Sequence, residues 1–165
     1  MTRSGWFAGA CLTSFIAVLM AIVPAWGGAP KKGEKMLATS TAPARHCISH
    51  PPSTLRALKL GHQNLAVVVK AFQPTIPPTG TLVVWLLTAP PKKRIELARF
   101  ALHPLRPFTR SEPRRTQRFL VSLSEQSQLI KDGQPLCLEV GFDPSVGKLE
   151  GGLAELEIEV VKAER

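Results

Sequence analysis

From position 65 onward the chain is written in short apolar runs of period two, each closed by proline or glycine. No other feature narrows the choice of fold so far. The runs are 65–72, 81–88, 95–105, 118–124, 136–142 and 155–162. Alternate side chains of an extended chain point to opposite faces, so runs of this length predict strands. Between them stand 73–80, with three prolines, then Pro90 and Pro91, the pair Asp132-Gly133, and the segment 144–152. Strands separated by turns, without alternating helices, predict an all-β protein, an immunoglobulin-like antiparallel β-sandwich of about six to eight strands.

The faces follow from the alternation. Leu156, Ile158 and Val160 share one side of their run, and Glu155, Glu157 and Glu159 the other. That predicts a half-buried strand with a solvated row of carboxylates. The runs 65–72 and 81–88 are apolar on both sides and are placed at sheet centres, with Trp85 beside Val83 and Leu87 as a core aromatic. In 95–105 the apolar phase slips by one at Ala98-Arg99, which predicts a bulge. Asp132-Gly133 predicts a hairpin joining 128–130 to 136–142. Residues 53–60 read either as a short helix, capped by Ser53 and ended by Gly61, or as a further strand.

Upstream of this pattern, residues 1–29 carry Arg3, an apolar stretch to Val23, Pro24, and then Ala25, Gly27, Gly28 and Ala29. Positive start, apolar middle and small residues at the end predict a signal peptide, and so export to a periplasm or secretion. Left uncleaved, the segment is an anchor, the one membrane association expected. Residues 30–45, with three lysines up to Lys35, read as a flexible basic leader, and 46–165 as the sandwich domain. A hydrophobic fraction of 44% against 20% charged excludes a disordered chain, and 15 prolines with no tyrosine argue against a helical bundle.

In an oxidising compartment Cys47 and Cys137 are expected to form a disulfide. Cys137 is out of phase with Leu136, Leu138, Val140 and Phe142, so it faces away from them, and Cys47 must lie on that same side. The competing chemistry is metal. His46 and His50 flank Cys47, and two imidazoles with a thiolate suit copper or zinc. This spacing fits no standard pattern, and His62 and His103 join only if the fold brings them near. No cofactor is expected. Neither Gly-x-Ser-x-Gly, nor His-Glu-x-x-His, nor a glycine-rich phosphate loop occurs, so no enzymatic activity is expected.

Charge is unevenly spread. Residues 30–118 carry a net +13 and residues 119–165 a net −5. Lys92, Lys93 and Arg94, with Arg106, Arg110, Arg114 and Arg115, fall in proline-rich turns and form the expected surface for an anionic partner. Few aromatics are interleaved with these cations, which argues against nucleic acid. The sequence thus reads as an exported, non-catalytic binding or accessory protein of the cell envelope. Its basic loops, or an open sheet edge, hold an acidic protein or an anionic envelope component. The alternative is a small periplasmic metal-binding protein built on His46 and His50.

Overall fold

The computed structural model describes residues 35–88 and 93–163, so residues 1–29, expected to be a signal peptide, and Lys92 lie outside the described residues. The strands are β1 (Met36–Thr39), β2 (Ala44–Ile48), β3 (Gln63–Ile76), β4 (Thr81–Leu87), β5 (Arg94–Ala101), β6 (Gln117–Val121), β7 (Leu136–Phe142) and β8 (Glu150–Lys162). They form two four-stranded antiparallel sheets, β1-β8-β3-β6 and β2-β7-β4-β5. The all-β sandwich expected from the alternation is therefore present.

Its strand order departs from the immunoglobulin one, in which consecutive strands A and B share a sheet. Here β1 pairs with β8, β2 with β7, β3 with β6 and β4 with β5. The chain is one long antiparallel ribbon folded over on itself, which is the wrapping of an eight-stranded jelly roll. Alternation reports which face of a strand is buried and says nothing of which strand lies beside it.

The core lies between the sheets. Leu65, Val67, Val69 and Phe72 of β3 face Leu82, Val84 and Leu86 of β4, all at 3% exposure or less. Phe72 packs between Phe108 and Phe142, with ring centroids 6.2 Å from each. Phe100 and Phe119 stack at 4.0 Å where β5 and β6 approach, closing one open side of the sandwich. On the other side a tight turn joins β1 to β2, with the Thr39 amide donating to the Ala42 carbonyl at 2.8 Å.

Several expectations shift. Residues 36–39 and 44–45, expected in a flexible leader, belong to the strands β1 and β2. Met36, Ala38, Ala44 and Ile48 are buried, and their backbones complete the ladders of β8 and β7. The helix α1 spans Pro52–Lys59. It buries Leu55 and Leu58, but Pro51 occupies the cap position and no side chain caps it, so Ser53 is not the cap. Gly61, at φ +69°, ends it in the left-handed region that glycine tolerates. Residues 124–129 form a 3-10 turn, so Asp132-Gly133 closes no hairpin. The β5 bulge leaves Leu97 unpaired between Glu96, opposite Trp85, and Ala98, opposite Val84, one residue earlier than the phase slip suggested. In β8, Glu155 and Glu157 are buried rather than solvated.

Candidate functional site: a cationic cavity over the Cys47–Cys137 bridge

The outer face of the β2-β7-β4-β5 sheet carries the most distinctive chemistry among the described residues. In β2, Ala44 and Ile48 turn into the core, so Arg45 and Cys47 turn outward. In β7, Leu136, Leu138 and Val140 turn inward, leaving Cys137 and Glu139 outward. Cys47 and Cys137 face each other in register and are joined by a disulfide with Cα atoms 4.0 Å apart. Both cysteines thus lie on the side away from the core, as the phase of Cys137 in its run predicts. Cys47 is exposed and Cys137 half-buried.

Two register positions along, Glu139 is only 1% exposed although it lies on the outer face. A buried carboxylate needs compensating charge, because removing it from water costs several kcal/mol. Two guanidiniums supply it. Arg45 of β2 reaches its Oε2 at 3.1 Å, and Arg94 of β5 pairs with its Oε1. Trp85 of β4 lies opposite Glu139, and the Arg94 guanidinium sits 5.7 Å from the Trp85 ring centroid. Trp85 is therefore a half-buried outer-face aromatic and not the core residue expected, since Leu82, Val84 and Leu86 take the inward positions.

This face floors a cavity of about 480 Å³. Its floor is the disulfide with Leu87, its cationic rim is Arg45, Arg94 and Lys131, and the segment 129–136 makes the far wall. Lys59 of α1 holds Asp132 at 2.7 Å and so ties that wall to the helix. Leu129 contributes 42% exposed apolar surface to it. Three cations against one carboxylate leave a net positive, partly apolar pocket.

The other predicted cations are placed elsewhere. Lys93 precedes β5 and Arg94 starts it, whereas the segment bearing Arg106, Arg110, Arg114 and Arg115 follows its far end, about 23 Å away at 3.3 Å per residue. The structure does not bring the two groups together. Arg110 lies over the outer face of the β1-β8-β3-β6 sheet, paired with Glu155 and, at 3.0 Å, with Glu157. Lys35 joins Glu155 at 2.8 Å, Lys70 joins Glu157 at 3.3 Å and Arg118 joins Glu159 at 2.6 Å. Much of the basic half of the sequence thus neutralises the acidic half. Arg115 donates to the Pro107 carbonyl at 3.0 Å and to Glu112 at 3.1 Å. The Thr109 amide, then Arg115, hold the Glu112 carboxyl below its ordinary value. Arg106 and Arg114 are exposed.

Around Cys47 the metal reading loses its sulfur to the bridge. No group of three or more His, Cys, Asp or Glu side chains converges among the described residues, so His62 and His103 do not complete a cluster with His46 and His50. Burial, and then the neighbouring charge of His46, lower the His50 pKa, and its Nε2 is buried without a hydrogen-bond partner among the described residues. Another buried acid, Asp143, pairs with Arg99. Burial raises its pKa, but the Ser145 amide at 2.9 Å, the Ser145 hydroxyl and Arg99 outweigh that and leave it lowered.

Sequence reasoning found Arg94 and the cysteines but missed Arg45, Lys131 and Glu139. The available signal was Glu139 itself, a lone acid in an otherwise apolar strand, two residues from Cys137 and on its face. Compared with protein-family models, with curated proteins and with solved structures, the chain matches none.

Proposed function

We propose that the protein is an exported, non-catalytic binding module of the cell envelope. Its ligand is an anionic group on an apolar body, presented by an acidic protein or an envelope component. The observation that carries this reading is the cavity over the Cys47–Cys137 bridge, where Arg45, Arg94 and Lys131 rim a floor of Leu87 and disulfide. Glu139 fixes two of the cations from below, so they are ordered before a ligand arrives, which lowers the entropic cost of binding. A cross-strand disulfide suits an oxidising compartment. No helix among the described residues is long and apolar enough to cross a membrane.

Titration with decanoate, an anion on an apolar chain, tests the reading. Binding is expected to weaken as salt rises, because exposed charges are screened within about 10 Å at 0.1 M. Lys131→Glu, which leaves the Glu139 pairs intact, is expected to abolish it. Equal binding of neutral decanol, or an unaffected Lys131→Glu variant, would defeat the proposal.

A further inference from the structure

The same cavity exposes a reactive bond, and we propose that Cys47–Cys137 is a thiol–disulfide exchange site entered at Cys47. The inference stands on the bridge's own geometry and does not need the ligand proposed above. The bridge joins β2 to β7, strands already paired at five register positions from Ala44↔Val140 to Ile48↔Leu136. Ala44 and Ile48 also anchor β2 in the core, at 5% and 3% exposure. Opening the bond therefore leaves the strand seated. Structural disulfides are usually shielded, whereas exposed ones are the labile, regulatory or catalytic ones. Here both sulfur-bearing residues line a cavity wide enough for a small thiol, and Cys47 is the more exposed of the two.

The electrostatics favour reaction at that position. A thiolate is both the attacking and the leaving species, and nearby cations stabilise it. Arg45 lies two residues from Cys47 on the same face, Arg94 lies opposite Leu87, which itself pairs with Cys137, and Lys131 completes the rim. Glu139 is the opposing charge, and it is already engaged by both arginines.

The reductant is a dithiol. One of its thiolates attacks Cys47 Sγ, a mixed disulfide forms, and the Cys47–Cys137 bond breaks. The electron pair of that bond leaves on Cys137 Sγ, which takes a proton from water. The second thiolate of the dithiol then attacks the dithiol's other sulfur, held in the mixed disulfide, and expels Cys47 as a thiolate, which is protonated in turn. Two electrons and two protons pass to the protein, and the dithiol becomes a disulfide.

The test treats the native, oxidised full chain at low salt with three monothiols at equal thiolate concentration: anionic glutathione, neutral 2-mercaptoethanol and cationic cysteamine. The reaction is quenched with acid, free thiols are labelled with a maleimide, and peptides are mapped by mass, with Cys11 read separately. The adduct is expected on Cys47 and the maleimide on Cys137. Rates, each divided by that thiol's rate with a small uncharged disulfide to remove differences in intrinsic nucleophilicity, are expected to fall from glutathione to 2-mercaptoethanol to cysteamine, and Lys131→Glu should compress that order. Complete reduction by dithiothreitol should leave the far-ultraviolet β signal in place. Reaction only in urea, an adduct on Cys137, rates indifferent to thiol charge, or loss of the β signal on reduction would each overturn the proposal.

Discussion

Replacing both Cys47 and Cys137 by serine removes a covalent tie between distant parts of the chain, and the loss is calculable. The bond spans 90 residues of sequence. Cross-linking a loop of that length lowers the entropy of the unfolded chain by roughly 15.5 cal/mol/K in the chain-entropy model, or about 4.6 kcal/mol at 25 °C. In the folded state little else changes, because the partners are neighbours in a ladder whose main-chain pairing persists without the sulfurs. Set against a total of about 5–15 kcal/mol for a domain, the variant stays folded but loses a large share of its margin. Equilibrium urea unfolding, followed by far-ultraviolet circular dichroism, measures the difference. The midpoint should fall, and the slope should steepen because the uncrosslinked unfolded chain exposes more surface. A loss below about 1 kcal/mol with an unchanged slope would refute the view that the bridge acts through the unfolded state.

Further perturbations probe the sites individually. Replacing Arg45 and Arg94 together by methionine strands the Glu139 carboxylate, and urea unfolding should show a loss of about 3–5 kcal/mol that a third change, Glu139→Gln, partly restores. The depressed His50 pKa means that below about pH 6.5 the unfolded chain takes up a proton that the folded one refuses, so stability falls with acidification through that range. Melting temperatures across the range should show this slope for the native chain and a flatter one for His50→Gln. Phe72→Ala empties the space between two other rings and should cost about 3–5 kcal/mol in the same unfolding assay. Gly152→Ala should also destabilise, since at φ +81° a Cβ would approach Thr75 Cγ2 to 2.4 Å.

The strands β3 to β8 were legible because their apolar runs are long enough to show a period, and the outward turn of both cysteines followed from the same phase. The strands β1 and β2 were not. Their inward residues are Met36 and Ala38, then Ala44, His46 and Ile48, and two alanines and a histidine in so few positions make no apolar run. The wrapping of the ribbon was hidden for a different reason. It pairs Met36 with Leu156 and Cys47 with Cys137, and periodicity within a run carries no information about a partner so far along the chain. The same distance concealed the site. Arg45, Arg94 and Glu139 look like a solvated cation, a turn cation and a strand acid until β2, β7, β4 and β5 are laid side by side. Arg110 misled in the opposite direction, since its carboxylate partners lie 45 and 47 residues downstream.

That the outer face of the β2-β7-β4-β5 sheet holds the ligand site is tested most directly by amide chemical-shift mapping of the labelled protein during a decanoate titration. Shifts are expected at Arg45 and Cys47, at Leu87 and Arg94, and at the amides of 129–137 other than Pro135, all lost in Lys131→Glu. Shifts confined to the segment bearing Arg106, Arg110, Arg114 and Arg115, with the disulfide-bearing face silent, would contradict it.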